Sequence, residues 1–152
     1  MSIQLVIFEL DHEEYGIAVS AVNGILRSSK FQIQKLPGTD KSIEGMINLR
    51  GQVNYIFNLR TKFKLIEQAI SLESKFIMLN AHESTIGCIV DEVTDIVKLN
   101  DEDVQEAPSF ISNVNINYII GIGKLEDRMI IILDPEKIFA TEYATLQNAV
   151  SL

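Results

Sequence analysis

The sequence has a single cysteine, no long apolar run and few basic residues. With Cys88 as its only cysteine, the 152-residue chain cannot form an intrachain disulfide, which excludes a disulfide-stabilised secreted scaffold. No apolar stretch is long enough to span a bilayer. Acidic residues directly follow the short apolar run at the N-terminus, and no basic segment precedes it, so we expect no signal peptide. These absences predict a soluble, cytoplasmic protein.

The deficit of basic residues limits the classes of partner. The chain carries 13 lysines and arginines against 21 aspartates and glutamates, a formal net charge of −8. Contact with nucleic-acid phosphates or with an anionic membrane surface needs a surplus of cations. We therefore expect no nucleic-acid partner and no direct membrane contact, but partners that offer basic patches or apolar surfaces.

An internal repeat is the most informative feature that is present. YGIAVSAVNGILR at 15–27 aligns with IGCIVDEVTDIVK at 86–98, and GMINLRGQVNYIFNLRTKF at 45–63 aligns with GIGKLEDRMIIILDPEKIF at 121–139. Because the two pairs of blocks occur in the same order, they indicate two copies of one supersecondary unit.

The length and the repeat together predict the domain organisation. Residues 1–152 suit one compact domain, and hydrophobic residues make up 47% of them. We predict two pseudo-repeat barrels near 15–70 and 76–139, with the terminal segments as candidates for exchange between them. Units of this size are marginal as independent folds, so we expect a shared apolar core.

The local patterns predict mostly β structure. Short β-branched and aromatic runs separated by polar turns are typical of strands, and GMINL and QVNYIF flank the turn pair Arg50-Gly51 as a hairpin. Asn58 and Asp134 are predicted helix caps, the second followed by a proline at the first helical position. We expect one short helix after each of these hairpins and another at the C-terminus.

No catalytic constellation is visible. His12 and His82 each fall in a predicted turn, and Cys88 lies in a predicted strand with no histidine near it in sequence. GIGKL has no helix after it, so it does not predict a phosphate loop, and NDEDVQE lacks the spacing of a calcium loop. We therefore predict no catalytic residues, no metal and no cofactor, and a binding function.

Arg50 leaves two interpretations open. It is either a solvated turn residue or an anchor whose planar guanidinium binds a carboxylate or carbonyl of a partner, with Gly51 permitting the tight turn. Val19, Val22 and Ile25 carry the same ambiguity, because an apolar residue at a strand end can belong to the core or line a partner groove.

Four blocks of the sequence resemble the CheW family of bacterial chemotaxis adaptors. They are EEYGIAVSAVNGILR, IEGMINLRGQVNYIFNLRTKF, IGCIVDEVTDIVKL and YIIGIGKLEDRMIIILDPEKIF. They run in family order over most of the chain, and the block containing NLRG is the most specific. The resemblance implies two SH3-like five-stranded β-barrels that share a core. It also implies a non-enzymatic scaffold that couples cytoplasmic tips of chemoreceptors to the histidine kinase CheA.

The resemblance also implies roles for individual residues. Phe110, in EAPSF, matches an aromatic residue at a kinase-side contact, and Gly121 matches a glycine with a structural role. The regulatory domain of CheA shares the fold, which implies barrel-to-barrel pairing in arrays at the membrane, reached only through receptors. The residues matched to the receptor side are Arg50, Val19, Val22, Gly45 and Ile96.

Three positions depart from the family pattern. Tyr55 replaces a usual proline, Asn58 replaces an acidic residue that it can still mimic as a helix cap, and Gly24 replaces a frequent acidic residue beside the receptor groove. The last change affects the expected receptor specificity.

Three alternatives stay open at this point. One is an adaptor of the same family in a pathway other than swimming. Another is a β-barrel protein that binds a metabolite between its halves, for which an enclosed apolar pocket would be the sign. The third is an enzyme whose turnover depends on His12 or His82.

Overall fold

In a computed structural model that describes residues 1–39, 41–108 and 114–150, eleven strands and three α-helices form the fold. Short 3₁₀ helices connect several of them, including one at Val19–Ala21. The strands are β1 Ser2–Leu10, β2 Glu13–Ala18, β3 Val22–Arg27, β4 Ile43–Leu49, β5 Gln52–Asn58, β6 Lys75–Ala81, β7 Ser84–Val90, β8 Glu92–Asn100, β9 Val104–Gln105, β10 Ile119–Leu125 and β11 Arg128–Leu133. The helices are α1 Leu59–Lys62, α2 Pro135–Ile138 and α3 Ala140–Val150.

The strands form two sheets, and each sheet takes strands from both halves of the chain. One has the order β8-β1-β2-β11-β10-β9, and the other has the order β3-β6-β7-β5-β4. The N-terminal hairpin β1–β2 thus lies among strands of the second half, and the hairpin β6–β7 lies among strands of the first. Both insertions use one parallel contact, β11 with β2 and β5 with β7. The mostly β fold with two sheets and few short helices confirms the predicted fold class; the repeat boundaries stay a prediction.

Tight two-residue turns with polar residues close the hairpins β1–β2, β4–β5 and β6–β7. Both central residues have a positive φ at Asp11-His12, Arg50-Gly51 and His82-Glu83, with values between 53° and 83°. Two-residue turns of this hand match the right-handed twist of the flanking strands. Polar side chains therefore stand at the hairpin tips, where they are exposed or half-buried.

Apolar side chains form one large core between the sheets and a small core within each. The shared core contains residues of both halves, and its rings pack closely: Phe57 and Phe139 have centroids 4.4 Å apart. The small core of the six-stranded sheet includes Ile130 and Ile132, whereas Ile131 belongs to the shared core. Strand β11 is therefore buried on both faces, as its run of three isoleucines predicts.

The predicted helix caps are confirmed. The Asn58 side chain accepts a hydrogen bond from the backbone N–H of Thr61 at the start of α1, and Asp134 accepts one from Glu136 at the start of α2. Pro135 occupies the first position of α2, where its missing N–H costs no hydrogen bond. These caps mark where β5 and β11 end and where α1 and α2 begin.

Candidate partner-binding surface

Two exposed isoleucines mark the edges of the shared core. Ile25 on β3 pairs with Ile77 on β6, and Ile96 on β8 pairs with Val6 on β1. Directly opposed residues of an antiparallel pair point to the same face of the sheet. Ile77 and Val6 are buried in the shared core, yet Ile25 is 42% and Ile96 60% exposed. Each edge strand therefore presents an isoleucine to solvent beside that core.

The 3₁₀ helix Val19–Ala21 lies between these two edges. It contacts β1 of the six-stranded sheet and β6 of the five-stranded sheet. Val19 and Val22 are half-buried and pack against the shared core, and so does Val93 at the start of β8. We call Val19, Val22, Ile25, Val93 and Ile96 the apolar rim. Three of its members were assigned from sequence to receptor binding; that role stays a prediction.

Two members of the apolar rim, Ile25 and Val93, were not among the residues that the family resemblance assigned to the receptor side, although the residue pattern left Ile25 open as a groove residue. Ile25 aligns with Ile96 and Val22 aligns with Val93 in the internal repeat. β-bulges interrupt the pairing at matching places, between Val22 and Gly24 on β3 and between Val93 and Asp95 on β8. Projecting each assigned residue onto the other copy would have identified Ile25 and Val93.

Arg50 stands at the tip of the β4–β5 turn, at the same end of its sheet as Val22. Strand β5 starts at this turn and runs parallel to β7. Strand β7 starts beside the C-terminal end of β6. Leu79, near that end of β6, pairs with Val22 on β3. Arg50 is exposed, and its side chain forms no hydrogen bond or ion pair with the described part of the chain. Gly51 donates its N–H to the Asn48 side chain (2.9 Å), which fixes the turn.

Two other arginines of the chain are fully engaged, in contrast to Arg50. Arg60 is buried and donates to both oxygens of Asp91 and to the carbonyl of Ile66 (3.0 Å). The hydrogen bonds that Arg60 donates to Asp91 raise the pKa of Arg60 against the effect of its burial. These contacts hold α1 against the start of β8.

Arg128, at the start of β11, links this strand to two other strands of the six-stranded sheet. It donates to Glu14 on β2 (Nε–Oε2 3.1 Å) and to Asp95 on β8 (Nη1–Oδ2 3.1 Å). The hydrogen bonds that Arg128 donates to Glu14, and then those to Asp95, raise the pKa of Arg128, and the Arg128 guanidinium lowers the pKa of Asp95. By the repeat alignment, Asp95 corresponds to Gly24, so the five-stranded sheet has no carboxylate at the matching position.

Gly45 is buried and adopts a backbone conformation that favours glycine. Its φ is 153°, and a Cβ there would lie 2.3 Å from the carbonyl oxygen of Gln34. Gln34 and Met46 exchange two backbone hydrogen bonds of 2.9 Å at this point. Gly121 shares only the close approach, since a Cβ there would lie 2.9 Å from the carbonyl oxygen of Gln105. The structure therefore gives Gly45 a backbone role beneath the surface, while its part in partner binding stays a prediction.

Phe110, the residue assigned to the kinase side, lies outside the described residues. The structure consequently offers no test of its assignment.

The residues considered for catalysis lie on separate turns or are unreactive. His12 is exposed on the β1–β2 turn, and His82 lies on the β6–β7 turn of the other sheet, where its ring stacks on Tyr143 (4.8 Å between centroids). Burial raises the pKa of the Cys88 thiol to about 12, which keeps it protonated. In the described residues, no cluster of histidine, cysteine and carboxylate side chains has the geometry to hold a metal ion.

Side chains fill the space between the sheets. The shared core is continuous there, and the two surface cavities of about 340 and 600 Å³ have mostly polar linings. This packing gives no support to a metabolite pocket between the halves. None of the helices in the described ranges has the length and apolar character needed to cross a membrane.

Comparisons with known proteins agree on one family. The sequence profile described as CheW-like domain matches residues 4–142. The chain is 34% identical over 150 residues to chemotaxis protein CheW of Klebsiella aerogenes, covering 97% of this chain and 88% of that protein. It is 31% identical to CheW of Treponema pallidum, with coverage of 91% and 83%. The crystal structure of scaffolding protein TtCheW from Thermoanaerobacter tengcongensis superposes with a TM-score of 0.83 at 29% identity, covering 91% of this chain and 88% of that one.

Proposed function

The chain belongs to the CheW-like domain family, and on this premise we propose that it is a non-catalytic scaffold that couples chemoreceptors to the histidine kinase CheA. It would do so in the cytoplasm, at receptor arrays that it reaches through the receptors themselves. The buried, protonated thiol of Cys88 and the separate surroundings of His12 and His82 support a role without catalysis.

The apolar rim is the observation that carries the proposal. It takes residues from an edge strand of each sheet and from the 3₁₀ helix between them, so one partner element can contact both barrels at once. Exposed isoleucines next to a buried core form an apolar site for a partner helix, and the close-packed core beneath them keeps this site rigid. We propose the apolar rim as the receptor side of the scaffold.

Arg50 supplies polar specificity beside this apolar surface. Its guanidinium has no intramolecular carboxylate within the described residues, and its turn is held by the hydrogen bond between Gly51 and Asn48. A planar fork with free donors pairs bidentately with a carboxylate, and a fixed turn lowers the entropy lost on binding. We assign Arg50 to contact with the receptor.

The kinase side follows from the family. The proposed partner is the regulatory domain of CheA, which pairs barrel to barrel, with Phe110 at that contact. A rigid body with two separate binding surfaces brings the receptor and the kinase to a high effective concentration relative to each other. Receptor conformation then reaches the kinase through these contacts, with no covalent step on the scaffold.

The direct test is calorimetric titration of the purified protein with the regulatory domain of CheA from the same organism. Saturable one-to-one binding is the expected result, followed by binding of a soluble receptor-tip fragment at a non-competing surface. A folded protein that binds neither the kinase domain nor the receptor fragment would refute the proposal. Binding to the kinase domain alone would leave a scaffold whose second partner is not a chemoreceptor.

A further inference from the structure

The apolar rim depends on a β-bulge in each of its two edge strands. Successive residues of a strand point to opposite faces, so residues three positions apart should not share a face. On β8, Val93 pairs with Phe8, a residue of the shared core. Ile96 pairs with Val6, which also belongs to that core. Val93 and Ile96 therefore share a face, because the unpaired residue Thr94 between them shifts the alternation by one position.

Strand β3 has the same insertion, at Asn23. Val22 pairs with Leu79. Ile25 pairs with Ile77, and both of these partners belong to the shared core. A slip of one residue would move a strand's side chains to the other face of the sheet. The apolar rim is therefore continuous only while both bulges keep their register.

Side-chain contacts fix the bulge of β8 from the face opposite the rim. Asp95 pairs with Ile7 of the small core, so its side chain points away from the face that carries Ile96. On that opposite side, Nη1 and Nη2 of Arg128 donate to the two carboxylate oxygens of Asp95, each over 3.1 Å. The Thr94 hydroxyl lies 2.9 Å from the Asp95 Oδ1 and 3.3 Å from the carbonyl oxygen of Ile7. The bulge residue and its neighbour are thus both held.

Arg128 is itself fixed to an interior strand of the sheet. Its Nε and Nη2 donate to the two carboxylate oxygens of Glu14 on β2, over 3.1 and 2.8 Å. Bidentate pairs of this kind fix the position and the orientation of a guanidinium. We call the contacts of Arg128 with Glu14 and Asp95 the Arg128 bridge. It ties the edge strand β8, which pairs with β1 alone, to the interior strands β2 and β11.

The bulge of β3 has no such bridge. Gly24 stands where β8 has Asp95, and it has no side chain that could accept a hydrogen bond. Asn23 is exposed, and its side chain forms no hydrogen bond with the described residues. The two edges of the apolar rim therefore differ, because side chains and backbone hold β8 whereas backbone pairing alone holds the bulge of β3.

We propose that Arg128 is a positioning residue for receptor binding: it fixes the β8 bulge and so keeps Val93 and Ile96 on one face for the receptor. Its contacts with Asp95 lie on the face opposite Ile96, so Arg128 acts through β8 and not by touching the receptor. The inference rests on the proposed coupling function. An edge strand opens locally more readily than the strands beneath it, so the bridge controls the shape of β8 more than the stability of the whole fold.

A double-mutant cycle, with binding to a soluble receptor-tip fragment measured by calorimetry, tests the proposal. Arg128→Gln should weaken binding about fivefold or more. In an Ile96→Ala background the same change should cost under about twofold, because the side chain that the bridge positions is missing. In an Ile25→Ala background it should keep its full effect, since Ile25 lies on the edge strand of the other sheet. Lys124→Gln, the same change of charge at an exposed residue of the same hairpin, is the control and should bind like wild type.

Hydrogen–deuterium exchange in the free protein gives a second measurement. In Arg128→Gln the backbone amides of residues 93–97 should exchange about tenfold faster or more, and those of residues 22–26 at the wild-type rate. Asp95→Asn removes one side of the bridge and should shift binding and exchange in the same direction.

Three results would overturn the proposal. One is unchanged binding by Arg128→Gln. Another is a binding loss that simply adds to that of Ile96→Ala, which would indicate direct contact with the receptor or a general loss of stability. The third is an unchanged exchange rate in β8. A wild-type protein that binds no receptor fragment would instead refute the coupling function, and exchange would still decide whether Arg128 fixes the bulge.

Discussion

Lys62 on α1 and Glu142 on α3 form a buried ion pair, with 2.7 Å between Nζ and Oε2. Ser42 donates a second hydrogen bond of 2.7 Å to the same carboxylate oxygen. Glu142 is 3% exposed, and its helix comes from the opposite end of the chain to α1 and Ser42. The pair therefore fastens the C-terminal helix to the first half of the protein.

Glu142→Gln should lower the free energy of unfolding by about 3 kcal/mol, because it keeps an acceptor for Ser42 but leaves the Lys62 ammonium without its counter-charge in a buried site. Urea denaturation followed by circular dichroism measures the change. Glu136→Gln, on an exposed side chain of α2, is the control and should cost under about 1 kcal/mol. Equal losses in the two variants would contradict the role of the buried pair.

Asp95→Asn should remove a pH-dependent contribution to stability. The hydrogen bond from Arg128 lowers the pKa of Asp95 in the folded protein below its ordinary value of 3.8. A carboxyl with a depressed pKa stabilises the fold above pH 3.8, and this contribution is lost as the pH falls through the folded-state pKa.

The wild-type protein should therefore exceed Asp95→Asn in stability by about 0.5 to 1 kcal/mol at pH 7, a small difference because Asp95 is partly exposed to solvent. The difference should shrink as the pH is lowered below 3.8 in a series of urea titrations. A difference that stays constant with pH would show that the ionised form of Asp95 gives no net stabilisation.

Gly45→Ala should destabilise the protein by about 2 kcal/mol or more, since the new Cβ would overlap the Gln34 carbonyl in a backbone conformation that suits glycine. Gly24→Ala is the matched substitution, because a Cβ at Gly24 meets no atom within 4 Å. It should be neutral or slightly stabilising. Thermal unfolding of the two variants beside wild type measures the contrast, and a mild effect at Gly45 would argue against the close approach.

Arg50→Ala should leave the free energy of unfolding unchanged within about 0.5 kcal/mol, because the exposed side chain forms no hydrogen bond or ion pair with the described residues. It should weaken binding to a receptor-tip fragment about tenfold or more, the loss expected for a charge-assisted anchor. Arg27→Ala is the control: Arg27 is also exposed, and it lies at the opposite end of β3 from Val22. Unchanged binding by Arg50→Ala would make Arg50 a solvated turn residue.

Ile25→Asp and Ile96→Asp should each weaken receptor binding about tenfold or more, because each puts a charge into an apolar contact that excludes water. Both side chains are exposed in the free protein, so the thermal unfolding midpoint should change little. Ile120→Asp, at an isoleucine 55% exposed on β10, is the control for an added charge. If Ile25→Asp binds like wild type, the rim does not extend to β3.

Several features could be predicted from local sequence because they depend on neighbouring residues alone. The caps at Asn58 and Asp134 and the turn at Arg50-Gly51 follow from the intrinsic preferences of those residues. The burial of β11 on both faces follows from its unbroken apolar run. The bulges before Gly24 and Asp95 were not predicted; the structure places them at positions that the repeat alignment makes equivalent.

The site could be predicted only in part. The position of Arg50 in its turn predicted its exposure, and its role as an anchor stays a prediction. The resemblance to the family did not distinguish the surface positions of Ile25 and Ile96 from the buried position of Gly45. Exposure at a strand depends on what the neighbouring strand and the opposite sheet cover. That information is non-local, so periodicity along one strand does not contain it.

The sequence by itself determined the strands, the caps and the internal repeat, because each depends on short-range preference or on self-similarity. The tertiary structure alone decided that each half lends a hairpin to the sheet of the other half, and that Lys62, 80 residues from Glu142, holds the last helix in place. Contacts between residues distant in sequence cost loop entropy and are repaid only by packing in three dimensions. For that reason the shared core, and the apolar rim at its edge, exist only in the folded chain.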